Sequence, residues 1–466
     1  MDIVRQSRYN GLTLLFIGLI LVFLINGIAS DVTWASSDLP DTSAYRTDKI
    51  PQKPMKSWYK NIDVQWGGHI KAYGSVSWPD DESFFKPVGI EPCYDGHTEA
   101  RVKNKLFLGD WGELETHYEA IFSGGDTRRK WKSLQQFYPD IFTSSSMFGR
   151  QLEDDCRFMN LTKTIDEDES HILYHRLDRL AMTVLPEWGT VRVGRQAVTW
   201  GNGLLFNPMD LFNPFSPAEF ERDYKIGEDM VFTQFDVNSR GELQLLYVPR
   251  REAATEDVEW DQSSLAGKLH FGRDTTEFDI MVAKHYKDEV IGVGSTGYLG
   301  NAAWRLDSTW TFLNNVSDTD GYLSVVTNMD YSWVWWGKNF YGFLEFYLNG
   351  LSHNQYTEVF NDPDIVVRIN RGELYTLGRT YLGGHVRVEL HPLFNVYVTV
   401  IENLGDPSGT IQPRAVWDVA KDVQITCGGT THYGSRGTEY GGFTISSTNL
   451  LYMTSDNVFL WLTYFF

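Results

Sequence analysis

The last nine residues constrain the fold more than any other segment of the chain. They run from Val458 to Phe466 as VFLWLTYFF, and every second residue counted back from the end is apolar or aromatic. Alternate side chains of a β-strand point to opposite faces, so Phe466, Tyr464 and Leu462 share one face with Leu460 and Val458. We therefore expect a closing strand with one wholly apolar face, as contact with lipid requires. A buried edge strand of a soluble sandwich is the alternative.

The same alternation recurs along the chain in segments of about ten residues, separated by breaks that are alternately tight and long. The predicted tight turns are 109–112, 186–189, 238–241, 272–275, 299–301, 336–338, 391–394 and 420–422. The predicted outer breaks lie near 79–98, 124–170, 200–227, 251–262, 287, 313–320, 351–372, 405–410 and 431–456. Counting these breaks gives about eighteen strands with both chain ends on one side, and about sixteen is the alternative. We predict an all-β fold, a transmembrane antiparallel up-and-down β-barrel over residues 61–466.

Composition excludes several other classes of protein. A mean hydropathy of −0.31 cannot supply a bundle of membrane helices. The 16 Trp, 24 Tyr and 28 Phe exclude a disordered chain, because these residues bury enough apolar surface to offset ordering entropy. A formal net charge of −20 argues against a nucleic-acid partner, which needs basic surface.

The N-terminus predicts export. Arg5 and Arg8 precede an apolar run over 12–25, and the small residues Gly27 and Ala29 follow it. This pattern is typical of a signal peptide over 1–29, with an uncleaved anchor as the alternative. We expect residues 30–60 to form a periplasmic N-terminal leader.

Export permits disulfides, so the three cysteines need an assignment. Cys93 and Cys156 lie in loop-like surroundings and are a candidate bridge, with two free thiols as the alternative. Cys427 lies in a strand-like run, and we expect it to be a small buried hydrophobic residue.

Several segments resemble a known group of proteins. The closing strand, through Leu462, Tyr464 and Phe466, resembles the signal that the barrel-assembly machinery reads in Gram-negative outer-membrane proteins. Segments 175–217, 403–425 and 437–443 look like the porin-like, alginate-export-like barrels of Gram-negative bacteria. The resemblance implies a barrel in the cell outer membrane, among lipid and lipopolysaccharide, with a transport or channel role. It implies no particular substrate.

The break at 200–227 carries an unusual density of proline. Two Phe-Asn-Pro triplets stand six residues apart and are followed by another proline, which stiffens the loop and removes backbone donors. We predict that this loop folds inward and narrows the lumen, with a stiff outer loop as the alternative. The predicted constriction residues are Phe206, Asn207, Pro208, Asp210, Phe212, Asn213, Pro214 and Pro217.

Charged residues flank the same loop. Opposed charges on a lumen wall create a transverse field that filters solutes. Ordinary rim or strand-pairing charges are the alternative. The candidates for lumen charges are Arg176, Asp178, Arg195, Glu219, Arg222 and Asp223. Arg192 and Arg195 cannot both face inward in a regular strand, so we expect Arg195 to do so unless Gly194 marks a bulge.

Other motifs carry less weight. The acidic clusters at 153–155 and 166–169 lack calcium-loop spacing, and we expect them to be solvated. The GxGxxG at 292–297 leads into a turn and a strand rather than a helix, so we expect no dinucleotide and no other cofactor. We expect no metal site and no catalytic set of residues.

The resulting hypothesis is a porin-like channel for passive passage of small polar or charged solutes, and not an enzyme. The first alternative is an export or electron-conduit barrel that works with periplasmic partners. A barrel enzyme and a structural or adhesive barrel are further alternatives. The sequence leaves the oligomeric state open between monomer and trimer.

Overall fold

The computed structural model describes residues 62–138, 154–212, 224–238, 240–314, 320–352, 355–446 and 449–466. The segments predicted as signal peptide and leader lie outside these residues. The strands are β1 (Ile62–Trp78), β2 (Cys93–Leu108), β3 (Gly112–Gly125), β4 (Thr162–Glu167), β5 (His171–Val184), β6 (Gly189–Gln196), β7 (Glu228–Asn238), β8 (Gly241–Val248), β9 (Ser264–Arg273), β10 (Thr276–His285), β11 (Asp288–Leu299), β12 (Ala302–Phe312), β13 (Gly321–Trp335), β14 (Lys338–Asn349), β15 (Thr380–His391), β16 (Phe394–Asn403), β17 (Ser408–Ala420), β18 (Val423–Tyr433), β19 (Phe443–Ile445), β20 (Leu450–Tyr452) and β21 (Asp456–Phe465).

Eighteen of these strands form a closed antiparallel up-and-down barrel, which confirms the predicted fold class and strand number. Each barrel strand pairs with its neighbours in chain order, and β21 closes the ring by pairing with both β18 and β1. At the seam, the backbone N–H and C=O of Gly68 bond those of Phe466 at 2.8 and 3.1 Å. The short strand β4 pairs with the outer part of β5, and β19 and β20 form a separate hairpin.

All eight predicted tight turns join consecutive barrel strands, and the predicted outer breaks join strand ends at the opposite rim. Several turns depend on positive φ angles, as at Gly109, Gly300 and Gly337. These angles are accessible to glycine without steric strain, which is why turn chemistry was readable from the sequence.

The barrel exterior is apolar, as the alternation predicted. In β21, Val458, Leu460, Leu462 and Tyr464 point outward and are exposed, whereas Phe459 and Trp461 point inward and are buried. Exposed Leu, Ile, Val, Phe and Trp residues cover the outer faces of the other strands as well. Such a surface is stable in contact with hydrocarbon, because exposing apolar side chains to water is unfavourable.

Two helices and two 3-10 segments lie in the outer loops: α1 (Asp126–Phe137), α2 (Pro363–Arg371), Lys86–Val88 and Tyr356–Asn361. The Asp362 side chain caps α2 by accepting from the backbone N–H of Asp364 at 2.9 Å. None of the helices in the described residues has the length and apolarity needed to cross a bilayer.

The outer loops share an apolar core above the barrel. One cluster, around Val359, Ile365 and Phe443, comes from the loops that follow β14 and β18. A second, around Phe84 and Leu134, comes from the loop after β1 and from α1. Tyr452 packs against both clusters, so these loops form a single cap, which we call the outer cap.

The cysteine predictions need correction. Cys93 and Cys156 are free thiols, so the structure does not form the predicted bridge. Cys427 is exposed on the outer face of β18, opposite the outward-facing Leu460, and is not a buried core residue.

Candidate functional site in the barrel lumen

The segment that follows β6 lies inside the barrel. Trp200 is buried and donates from its indole N–H to Gln244 on β8 at 2.6 Å. Six residues later, the ring of Phe206 stacks on Tyr347 of β14 at a centroid distance of 4.4 Å. Residues 197–212, which we call the inward segment, therefore follow the lumen wall from β8 to β14. Trp200 is part of this lumen structure.

Glu345 on β14 holds the inward segment at its far end. Its carboxylate accepts from the backbone N–H groups of Leu204, Leu205 and Phe206 at 2.6, 2.9 and 2.7 Å. The Asn328 side chain adds a fourth hydrogen bond at 2.9 Å. Glu345 is fully buried, so these hydrogen bonds satisfy a carboxylate that has no access to water.

A second acid on the wall holds the segment nearer its start. Asp307 of β12 accepts from the Asn202 backbone N–H at 2.6 Å and from its side-chain amide at 2.8 Å. Neither Asp307 nor Glu345 was predicted as a site residue. The signal that marks Glu345 is a lone carboxylate in the aromatic run of β14, where the chain reads KNFYGFLEFYLN.

Glycines on the wall make room for the inward segment. A Cβ atom on Gly292 would lie 2.9 Å from the Met281 side chain and 3.4 Å from Met209. On Gly383, a Cβ would collide with Leu205. The glycines of the GxGxxG pattern lie on β11, a strand of the wall, and two of them face this packing.

The structure places the described constriction residues in the lumen. Phe206 and Phe212 are buried, and the Asn207 side chain accepts from the Gly203 backbone N–H at 2.7 Å. Pro208 lies in the next turn, where the Asp210 backbone N–H donates to the Asn207 carbonyl at 3.1 Å. Asp210 is buried and forms an ion pair with Lys225 on the returning limb of the loop. The remaining predicted residues, Asn213, Pro214, Pro217, Glu219, Arg222 and Asp223, lie outside the described residues.

The returning limb contacts the opposite side of the wall. The Tyr224 hydroxyl donates to Glu99 of β2 at 2.7 Å, and its ring lies 3.3 Å from the guanidinium of Arg101. The Gly227 backbone N–H donates to Asp178 at 3.1 Å. Burial raises the pKa of Tyr224, so this hydroxyl stays a donor.

Arg176 and Asp178 face the lumen within a buried ion-pair network. Arg176 bonds Glu119 at 2.6 Å, and Asp178 accepts from Arg101 at 2.9 Å and from Arg179 at 2.5 Å. β5 has a bulge at this point, because its register with β3 skips Asp178. The side chains of Asp178 and Arg179 therefore lie on the same face of the strand. Because each charge is neutralised by its ion-pair partner, the network exerts only a weak electric field on a passing solute.

Arg195 also faces the lumen, where it bonds Asp229 at 2.8 Å and Asp154 at 3.0 Å. Arg192 bonds the inward-facing Thr183 at 2.9 Å, so both arginines face inward, which is the exception expected for an irregularity at Gly194. Gly194 between them has a φ of 125°, which interrupts the regular alternation.

The contact with Asp154 identifies a second piece of chain, which packs on lumen-facing side chains at the outer ends of β6 and β7. Residues 154–161 lie against β6 and β7, with the Met159 backbone N–H donating to Asp229 at 2.7 Å. Asp154 is therefore buried, which corrects its assignment to a solvated cluster. Burial alone would raise the pKa of Asp154, but the guanidinium groups of Arg195 and Arg157 lower it to about 2. We call this piece the second inward segment.

The wall nearer the tight turns carries alternating tyrosine and arginine. Tyr341, Arg387, Tyr397 and Arg414 are direct cross-strand neighbours on β14, β15, β16 and β17. The guanidinium of Arg414 lies 4.7 Å from the Tyr397 ring, and that of Arg387 lies 5.8 Å from Tyr341. Arg387 is exposed and has no ion-pair partner among the described residues. Solvent therefore reaches this part of the lumen wall.

One group of residues, which was not predicted, has the order of a hydrolase triad. The Ser264 hydroxyl lies 3.0 Å from His285 Nδ1, and His285 Nε2 lies 3.1 Å from Glu373. Ser264 is fully buried and its oxygen accepts from Arg250 at 2.7 Å. An acyl substrate cannot reach such a hydroxyl, so the group fastens the loop that bears Glu373 to the wall. The described residues contain no cluster of three or more side chains suited to a metal ion.

Comparison with solved structures identifies the fold. OccAB1 of Acinetobacter baumannii, an outer-membrane porin, aligns at a TM-score of 0.50 and 9% identity, over 88% of this chain and 98% of that one. Wzi of Escherichia coli, an outer-membrane carbohydrate-binding β-barrel, aligns at 0.48 and 9%, over 86% and 84%. The anion-selective porin of Comamonas acidovorans aligns at 0.39 and 9%, over 87% and 100%. No family model and no curated protein matches the chain.

The chain thus has a porin-like fold, and the narrower resemblance to alginate-export-like barrels stays a prediction. A closed antiparallel barrel with an apolar exterior satisfies all backbone groups within a bilayer. Outer membranes are where such barrels occur. The protein is an outer-membrane β-barrel.

Proposed function

We propose that this protein is a channel for passive diffusion of small polar or charged solutes across the outer membrane. The inward segment narrows the channel, and its position sets the size of solute that passes. The observation that carries the proposal is the set of hydrogen bonds from Glu345 to Leu204, Leu205 and Phe206, which fixes peptide backbone inside the lumen of a porin-like barrel.

Charge selectivity comes from groups that solvent can reach rather than from the buried pairs. Arg387 supports this assignment, because it faces the lumen and is exposed. An unpaired guanidinium attracts anions over a distance of about 8 Å at physiological salt. We therefore place a region that favours anions at the inner mouth of the lumen, which is the end next to the tight turns. The net charge of the outer loops does not affect this assignment.

Single-channel conductance in planar bilayers tests the role of the inward segment. Deleting residues 204–218 is expected to raise the conductance severalfold, since a wider lumen passes more ions. Deleting residues 253–256, in an outer loop exposed to solvent, is the matched control and should leave conductance unchanged. Heat-modifiable migration on gels shows that each variant forms a barrel. Unchanged conductance in a folded 204–218 deletion would contradict the proposal.

The alternatives predict different results. An export or electron-conduit barrel would conduct negligibly alone and co-purify with a periplasmic protein. A barrel enzyme would need an accessible nucleophile, and Ser264 in the triad-like group is enclosed. A structural or adhesive barrel would show no solute passage in either the full chain or the deletion.

A further inference from the structure

A depression lies on the lipid-facing surface of β13–β16, in the half of the barrel next to the tight turns. It arises because two outward-facing positions on adjacent strands are glycines, Gly342 and Gly384. Larger side chains surround them, including Tyr331, Leu344 and Val398. The depression is open to the surroundings, has a volume of about 490 Å³, and its lining is almost wholly apolar.

Aromatic rings and one cation stand at the foot of this depression. Trp333 stacks on Phe340 at 5.4 Å, and Trp335 lies 5.9 Å from the same ring. Tryptophan rings favour the level where hydrocarbon meets headgroups. Lys338, the first residue of β14, is exposed on the same outer face, and its ammonium donates to the Leu390 carbonyl at 2.6 Å. An ammonium has three donors, so it keeps capacity for a further acceptor.

We propose that the depression is a binding site for one phospholipid of the inner leaflet, with an acyl chain against Gly342 and Gly384 and the headgroup phosphate at Lys338. The tight turns of outer-membrane barrels face the periplasm, which places this half of the wall in the inner leaflet. The cation at the foot favours an anionic headgroup over a zwitterionic one.

A second copy of the chain fits the depression less well than an acyl chain. Stable protein–protein contacts bury about 1,200 Å² or more, on surfaces that are not confined to one groove. The lining of this groove comes from four adjacent strands and includes Trp333 at the end nearer the tight turns. A flexible hydrocarbon chain matches that shape, and dispersion contacts with the walls hold it.

Native mass spectrometry of the full chain tests the site. The protein is released from nanodiscs of equal phosphatidylglycerol and phosphatidylethanolamine, and retained lipid is counted as collision energy rises. The wild type is expected to keep one phosphatidylglycerol. Gly384→Leu fills the groove and is expected to lower that occupancy about tenfold. The added side chain is tolerated, because the nearest atom to a new Cβ is the Leu344 methyl at 3.4 Å.

Gly74→Leu is the matched control, since Gly74 faces lipid on β1 with no atom within 4 Å of a new Cβ. This variant should retain lipid as the wild type does. Lys338→Ala should keep one phospholipid but lose the preference for phosphatidylglycerol. Equal retention by wild type and Gly384→Leu would overturn the site. A wild-type dimer that Gly384→Leu disrupts would also overturn it, by assigning the groove to a second copy. Neither result depends on whether the lumen conducts.

Discussion

Glu345 is the residue on which the position of the inward segment depends most. One buried carboxylate accepts from three consecutive backbone N–H groups and an amide, and its neighbours over 340–348 are aromatic, aliphatic or glycine. Hydrogen bonds to a charged acceptor contribute about 1.5–3 kcal/mol each, and a buried group left without a partner is destabilising. The segment is thus held by one side chain at its far end and by Asp307 nearer its start.

Glu345→Gln is expected to loosen this hold. The amide NH₂ replaces one acceptor oxygen with donors, which face backbone N–H groups that also donate. We expect a higher mean conductance and frequent transitions between substates in single-channel recordings. Glu389→Gln is the control, because Glu389 is a half-buried glutamate on the inner face of β15 near the tight turns. A quiet Glu345→Gln channel with wild-type conductance would show that the carboxylate does not hold the segment.

Arg387 is expected to set charge selectivity near the inner mouth. Arg387→Glu reverses an exposed charge on the lumen wall, so the channel should shift toward cations. The reversal potential in a tenfold KCl gradient measures this shift. Arg387→Lys keeps the charge and should retain the wild-type value. An identical reversal potential in Arg387→Glu would place the selectivity elsewhere.

Asp154 gives the second inward segment a defined pH dependence. Its pKa is lowered in the folded protein to about 2, from an ordinary value of 3.8. The ion pairs with Arg195 and Arg157 therefore contribute stability that is fully present above about pH 4 and lost as pH falls through about 2. Pepsin cleavage of the wild type within 154–161 should accelerate only below about pH 3. The Asp154→Asn variant should be cleaved rapidly throughout the range from about pH 4 to about pH 2. Pepsin cleavage of the wild type that is already fast at pH 4 would contradict this.

At the scale of elements, features that depend on contacts between nearby residues could be predicted from the sequence, and features that depend on distant contacts could not. The eight tight turns depend on residues within four positions of each other, so glycine, proline, asparagine and aspartate revealed them. The alternation of strands is equally local. The second inward segment could not be predicted, because Arg195 meets Asp154 across 41 residues of chain. Lone acids in apolar strands, such as Glu345, marked the wall but not the segment that they hold.

The outer cap is a packed element in its own right, and Tyr452 joins its two clusters. Its ring lies 5.8 Å from Phe84 in one cluster and 5.4 Å from Phe443 in the other. Truncating a large aromatic side chain in a packed core destabilises by about 3–5 kcal/mol. Tyr452→Ala should therefore make the outer loops sensitive to trypsin while the barrel stays heat-modifiable. Tyr298→Ala, at the exposed end of β11 next to a tight turn, should not. Equal trypsin resistance in both variants would show that the clusters do not depend on each other.

At the scale of the whole molecule, the low mean hydropathy and the membrane location are consistent. Only every second strand residue faces lipid, so a chain with a mean hydropathy of −0.31 still presents an apolar exterior. The acids and bases lie largely in the outer loops and in the lumen, where ion pairs hold them. The net charge of −20 therefore says little about what passes through the channel.

Liposome swelling with uncharged sugars of increasing size tests the central claim most directly. Vesicles containing the full chain should swell with small sugars, at rates that fall steeply with solute size. Vesicles containing the 204–218 deletion should admit larger ones. Absence of swelling with every sugar, for both proteins in heat-modifiable form, would contradict the account of a diffusion channel narrowed by the inward segment.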